Sequence, residues 1–183
     1  MTVFDDLTEY TYLPSFARPG TKNIGWLGEE RDFKLENHPD NVLELVWDAC
    51  GISIAQTRGF HLCPFCQKFS ANRAQRGSQS LLLGTSEIRV FSKAGDIYAA
   101  PTLIYHYMAV HHYRPPKEFL SALEEGLTPR SDDYFSRLRA LDLSWTKTSS
   151  PPLNEGRYRF VKLPDQTIVK VPVDDEAGNV DVE

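Results

Sequence analysis

A pair of cysteines constrains this chain more than any other feature of its sequence. The motif is Cys63-Pro64-Phe65-Cys66, and a gap of two residues lets both thiolates bind one metal ion from a tight turn. We expect no secretion signal, so the pair favours a metal site or a redox pair over a structural disulfide. The third cysteine, Cys50, ends an apolar helical pattern and is expected to pack as a small buried side chain.

Histidines further along the chain supply the other candidate ligands. His106 and His111 lie on a predicted helix, and with Cys63 and Cys66 they would complete a tetrahedral shell. Their spacing advances by roughly 500° around an ideal helix, so they share a face only if the helix loosens before the prolines. Otherwise only one of the two binds. His61, two residues before the first cysteine, is an alternative ligand.

The ligand types indicate the metal and its role. Thiolate with imidazole favours zinc over magnesium or calcium, and four protein ligands would make one structural site. Three ligands would leave a position for water and permit hydrolysis, with Glu87 or Asp96 as a candidate base. His112 is expected to point elsewhere and His38 to lie at the surface. A thioredoxin-like redox pair is disfavoured because a polar stretch, rather than a helix, follows Cys66.

The whole pattern predicts a mixed α+β domain. A zinc knuckle followed by a hairpin and a helix is the element order of the treble-clef zinc folds, here with extra helices and a C-terminal β-hairpin. In chain order we expect an extended piece over 23–27, a helix from a capping box at Asn41 and Glu44 to Gly51, a loop over 70–80, a hairpin over 87–100, and helices over 103–112, 117–125 and 134–141, the last capped by Ser131.

Charge and length indicate how the chain is organised. We expect a zinc-stabilised domain over 1–150, a C-terminal hairpin packed on it over 151–173, and a flexible acidic tail over 174–183. The formal net charge is −5, and the tail holds five acidic residues with no Lys or Arg. The preceding 173 residues are therefore neutral. Such a balance speaks against a DNA-coating protein, which would normally be basic.

One segment, residues 58–76, is locally basic. It combines four cations with three phenylalanines and has no acidic residue: Arg58, Lys68, Arg73, Arg76, Phe60, Phe65 and Phe69. Basic groups with interleaved aromatics can hold phosphates and stack bases. In the interpretation that we favour, the phenylalanines form a small core around the metal and the charges are solvated.

No stretch approaches the roughly 18 apolar residues that a membrane span needs. The first residues also lack the basic start and apolar run of a signal peptide. We therefore expect a cytoplasmic protein without a membrane contact.

Three strings of the sequence resemble one family. They are FDDLTEYTYLP with NIGWLG, GFHLCPFC, and YAAPTLIYHYMAVHHYRPPKEFLSAL. Together they are similar to an uncharacterised bacterial family of domain-of-unknown-function type, with a GxHxCxxC element and a later YAAPxLIxHYxxxHxYxPPxEF element. The resemblance covers about residues 3–125. It implies matches at Gly59, His61, Cys63 and Cys66, and at Tyr98, Pro101, His106, Tyr107, His111, Tyr113, Pro115 and Pro116.

This family carries no established activity. From the residues and this resemblance we expect a zinc-stabilised bacterial binding or adaptor protein with an unidentified protein partner, rather than an enzyme. Two alternatives stay open: a nucleic-acid-binding module that uses residues 58–76, and a zinc-dependent hydrolase with an open coordination position.

Overall fold

The computed structural model describes residues 2–29, 32–66 and 68–143, together with the backbone of 158–162 and 168–172; the side chain of Phe69 is outside this description. The chain divides into two compact units, Met1–Trp145 and Thr146–Glu183. The predicted packing of the C-terminal hairpin on the first domain stays a prediction, as does the boundary at residue 150. The predicted acidic tail, 174–183, lies outside the described residues.

The first unit consists of short strands and helices. Its elements are β1 (Thr21–Asn23), α1 (Asp40–Cys50), β2 (Arg73–Arg76), β3 (Gln79–Leu82), β4 (Glu87–Phe91), β5 (Ile97–Pro101), α2 (Ile104–Val110), α3 (Lys117–Glu125) and α4 (Asp132–Ala140). Single 3-10 turns lie at Pro14–Phe16 and Phe69–Asn72. The mixed α+β class is as expected, whereas the assignment to the treble clefs stays a prediction.

A three-stranded sheet forms the centre of this unit. Its order is β1-β5-β4, with β4 antiparallel and β1 parallel to β5. All five residues of β4 are buried. Ile88 and Val90 pack with α1 and α3 on one face, and Phe91 packs with Tyr134 of α4 on the other. A strand covered on both faces cannot alternate apolar and polar residues in the usual way. It therefore buries Glu87 and Arg89 along with its apolar side chains.

Apolar residues at helical spacing explain where the helices form. In α1, Val42, Val46 and Ala49 are buried at helical spacing. The predicted capping box was wrong: α1 begins after Pro39 and has no side-chain cap. The Ser131 cap of α4 is confirmed, since its side chain accepts a hydrogen bond from the Tyr134 amide at 3.2 Å.

The predicted loop over 70–80 was also wrong. This segment forms a 3-10 turn and then an antiparallel hairpin of β2 and β3, with Arg73 opposite Leu82. Gly77 lies between the strands with φ of +58°, the left-handed conformation that a two-residue hairpin turn favours. The predicted extended piece over 23–27 is displaced, because β1 covers Thr21–Asn23.

The second unit contains two described strands, β6 (Tyr158–Lys162) and β7 (Ile168–Pro172), which pair antiparallel. The residues between them and the segment 151–157 lie outside the described residues. Within the part of the chain that the structure describes, no helix has the length and apolarity needed to cross a membrane.

A buried ion pair lies at the start of β4. Arg89 Nη1 donates to Glu87 Oε2 at 2.7 Å, and Tyr10 Oη donates to Glu87 Oε1 at 2.8 Å. Burial raises the pKa of the Glu87 carboxyl, and the charge of Arg89 opposes this rise. The guanidinium also lies 4.9 Å from the centroid of the Tyr10 ring. These contacts fix the N-terminal segment to the sheet.

Loss of one partner should leave a buried charge without compensation. We expect Arg89→Met to lower the free energy of unfolding by about 3–5 kcal/mol in urea denaturation, because Glu87 would stay buried. Lys22→Met is the matched control, since the Lys22–Asp96 pair is half-exposed and should contribute much less. Equal effects of the two substitutions would contradict a special role for the buried pair.

Candidate metal centre

The segment that leads into the cysteine pair is held by side-chain and backbone hydrogen bonds. The His61 amide donates to the Gly84 carbonyl at 2.8 Å. The Asn72 side-chain amide donates to the carbonyls of His61 at 2.6 Å and Leu83 at 3.0 Å. The cysteine turn therefore begins from a backbone already fixed to the chain that leaves β3.

The end of α2 explains how two histidines five residues apart meet. His106 lies within α2, but the helix ends at Val110 and His111 is its C-cap, with φ of −101° and ψ of 2°. His112 then takes a left-handed φ of +56°, and the Tyr113 amide bonds to the Tyr107 carbonyl at 3.0 Å. The helix thus loosens before the prolines, which is one of the two alternatives that the spacing left open.

The structure brings together the four side chains that the sequence nominated. Cys63, Cys66, His106 and His111 each offer one ligand atom, and these atoms all lie within 4.8 Å of one another. Cys66 Sγ is 3.4 Å from His106 Nε2 and 3.2 Å from His111 Nε2. Cys63 Sγ is 3.3 Å from His111 Nε2, and the two Nε2 atoms are 3.1 Å apart.

These separations can be compared with a tetrahedral shell. Metal–sulfur bonds of about 2.3 Å and metal–nitrogen bonds of about 2.0–2.1 Å place S and N about 3.5 Å apart and two N atoms about 3.3 Å apart. The three sulfur–nitrogen separations and the nitrogen–nitrogen separation given above agree with these values to within a few tenths of an ångström, and every pair of ligand atoms lies within 4.8 Å. The four residues could therefore hold one metal ion.

Burial sets the charge state of the cluster. Cys63 is 0 % exposed and His106 is 7 % exposed. Burial, with a smaller contribution from His111, lowers the pKa of His106 to about 4, so its imidazole is neutral and has a lone pair to donate. Burial raises the pKa of the Cys63 thiol. A buried thiolate is costly without a countercharge, and a divalent cation supplies one.

An aromatic shell packs against the cluster. The Phe65 ring contacts the rings of His111, Phe33 and Tyr107 at centroid distances of 5.1, 5.3 and 5.9 Å. Phe65 is therefore part of a small core around the cluster. Phe60, by contrast, is 47 % exposed.

The remaining histidines lie outside the cluster. His61, the alternative ligand, has its Nε2 3.3 Å from the Tyr12 hydroxyl. His112 is exposed, in keeping with the expectation that it points elsewhere. His38 was expected at the surface, but it is half-buried, with its Nε2 2.8 Å from the Tyr113 carbonyl.

The candidate bases and the third cysteine have partners outside the cluster. Glu87 forms an ion pair with Arg89, and Asp96 forms an ion pair with Lys22 at 3.2 Å. Neither candidate base therefore belongs to the cluster. Cys50 is buried as expected, and its thiol donates to the Thr102 carbonyl at 3.4 Å.

Sequence reasoning missed two residues that position the site. Asn72 holds His61 and Leu83 together, and nothing in its sequence neighbourhood indicates this role. Gly84 has a φ of +84°, and a Cβ there would overlap the His61 carbonyl and the Asn72 amide nitrogen. An isolated glycine between a leucine run and two hydroxyl residues was the available signal.

The comparison with known families identifies the family of this chain. The model of one family, described as domain of unknown function DUF7919, matches residues 2–124. The chain belongs to this family. The match confirms the predicted kinship with a domain-of-unknown-function family, and the four clustered side chains of the DUF7919 domain all lie within the matched residues. Searches of curated proteins and of solved structures found no match.

A Cβ at Gly84 should disturb the segment that leads into the cysteine turn. We expect Gly95→Ala, at φ of +96° in open space, to lower the free energy of unfolding by about 1–2 kcal/mol through backbone strain alone. Gly84→Ala should lower it by about 1–3 kcal/mol more, because the new atom overlaps the His61 carbonyl. Urea denaturation measures both variants, and equal losses would contradict the close approach.

Proposed function

We propose that this DUF7919 domain is built around one structural zinc ion and acts as a binding or adaptor protein. The observation that carries the proposal is the tetrahedral spacing of the ligand atoms of Cys63, Cys66, His106 and His111. Two thiolates and two imidazoles form a donor set typical of zinc. When bound, zinc would neutralise the two thiolates and join the cysteine turn to the end of α2.

The proposed role of the metal is structural because of what it would connect. The cysteine turn and the end of α2 are separated along the chain by two antiparallel strand pairs, β2–β3 and β4–β5. A zinc site of this kind contributes on the order of 10 kcal/mol, which is comparable to the whole stability of a domain. Such a link would add to the packing of Phe65 on Tyr107, which already joins the cysteine turn to α2.

We assign no catalysis to the site. A shell of four protein ligands has no open position for water, which a zinc hydrolase requires. The candidate bases also have other partners: Glu87 binds Arg89 and Tyr10, and Asp96 binds Lys22. The hydrolase alternative therefore has no residue in a catalytic role.

The proposed binding role is supported by apolar side chains exposed next to the site. Leu62 and Leu82 are 42 % and 44 % exposed. The hydrogen bond between His61 and Gly84 brings the two segments that carry them side by side. Exposed apolar side chains close to a site are candidates for contact with a partner. We also propose the cytoplasm, whose reducing conditions would keep the free cysteines as metal ligands.

The first test is metal content. Protein prepared without a tag under reducing conditions should contain about one zinc ion per chain by native mass spectrometry, as the single cluster predicts. His111→Asn should lose this zinc or bind it at least about tenfold more weakly, because one ligand is missing. His112→Asn is the matched control, since asparagine tolerates the left-handed backbone there and the side chain is exposed. Wild-type protein that is folded and free of metal would overturn the proposal.

The second test is metal removal. A strong zinc chelator should lower the melting temperature of the wild-type protein steeply, and added zinc should restore it. Cys63→Ser should be destabilised before chelation and respond little to the chelator. Cys50→Ser replaces another buried cysteine and should respond to the chelator as the wild type does. A wild type that is insensitive to chelation would show that the fold does not depend on a metal.

A further inference from the structure

The segment around the cysteine turn is free of carboxylates. No Asp or Glu occurs between Asp48 and Glu87, although the chain has 25 acidic residues. The same stretch contains four cations, Arg58, Lys68, Arg73 and Arg76. If the turn is held by zinc as proposed, its two thiolates are neutralised by the ion, so the positive charge of the surrounding surface is not offset there.

Hydrogen bonds bring three of these cations into one region. Arg58 lies between Thr57 and His61, whose amides donate to the carbonyls of Thr85 and Gly84 at 2.7 and 2.8 Å. The Asn72 side chain bonds to the His61 carbonyl, and Arg73 follows Asn72 directly.

Lys68 precedes the 3-10 turn that ends at Asn72, and its carbonyl accepts the Ala71 amide at 3.0 Å. The three cationic residues therefore lie on the chain that enters and leaves the cysteine turn, each within four positions of His61 or Asn72, which are in contact.

Arg58, Lys68 and Arg73 differ from Arg76, because an acidic side chain already neutralises Arg76. Arg76 Nη2 lies 2.8 Å from Asp40 Oδ2 and 3.9 Å from Glu44 Oε2, so α1 neutralises it. Arg58, Lys68 and Arg73 are exposed and form no ion pair within the described residues. Three charges, rather than four, are open to a partner.

We propose that these three cations bind the phosphates of a single-stranded nucleic acid. Two of them are arginines, whose guanidinium groups match phosphate in bidentate hydrogen bonds. Phe60, which is 47 % exposed, follows Arg58 by two residues and offers a ring on which an unpaired base can stack. This inference deepens the proposed binding role by naming the class of partner, and it rests on that proposal.

The hairpin extends the same surface. Arg73 and Gln75 are the exposed residues of β2, and Gln75 lies opposite the exposed Ser80 of β3. The side-chain amide of Gln75 and the hydroxyl of Ser80 can form hydrogen bonds with sugars and base edges. A single strand fits better than a duplex, because the bases must be unpaired to reach Phe60. An acidic peptide would use the charges but not the aromatic ring.

The test is fluorescence anisotropy with labelled 15-nucleotide dT and U strands and the full-length, zinc-loaded protein at low salt. We expect binding whose log affinity falls with log salt at a slope of about −2, as three phosphate contacts to a single strand predict. Arg58→Gln or Arg73→Gln should weaken binding and make the slope shallower by about 0.7. Phe60→Ala should weaken binding at least about fivefold without changing the slope.

Arg76→Gln is the matched control, because this arginine lies in the same hairpin but is already paired. It should leave the affinity within about twofold, whereas a loss as large as that of Arg73→Gln would contradict the assignment. Equal affinity for a duplex of the same length, equal affinity for polyglutamate, or no binding at low salt would overturn the proposal.

Metal analysis of the same samples separates the two proposals. Folded, zinc-loaded protein that binds no strand overturns the nucleic-acid inference alone. Folded, metal-free protein that binds with the expected salt slope supports the cation surface and overturns the zinc proposal.

Discussion

The convergence of four side chains from two distant parts of the chain is the constraint on which the rest of this domain depends. Burial raises the pKa of the Cys63 thiol, and two imidazole nitrogens 3.1 Å apart can share only one hydrogen bond, in which one donates and the other accepts. Such a cluster is stable only if the backbone holds it or a metal does. Here the backbone contributes through Gly84, Asn72 and the early end of α2, and the four ligand atoms lie within 4.8 Å of one another, close enough to hold one ion.

Strands of the central sheet separate the two cysteines from the two histidines along the chain. The chain leaves the cysteine turn through the β2–β3 hairpin, passes through β4 and β5, and returns in α2. Covering β4 on both faces leaves Arg89 and Glu87 inside the protein, where each compensates the charge of the other. This pair lies on the path between the ligands, so its stability affects the site without any contact with it.

Local residue types were sufficient to predict the four clustered side chains and the main helices, because cysteine and histidine spacing and apolar stripes are properties of neighbouring residues. The choice between His61 and His111 was not local. It depends on the Asn72 and Gly84 contacts, which keep His61 beside Tyr12, and on the left-handed backbone at His112. The β2–β3 hairpin was missed for a related reason: its strands are polar and partly exposed, so their pairing leaves no apolar alternation in the sequence.

The charge of segment 58–76 also differs between what the composition predicts and what the structure shows. The segment 58–76 counts as four positive charges in the sequence, yet α1 neutralises Arg76 and leaves the other three exposed. A net charge of −5 for the whole chain says little about this surface, because interactions between exposed charges are screened over about 8–10 Å in physiological salt. The proposed metal and the proposed surface are then physically linked. The ion would neutralise the two thiolates and hold the turn, and the chain on either side of this turn carries the three cations. Loss of the metal would therefore remove both the fold of the turn and the arrangement of charge beside it.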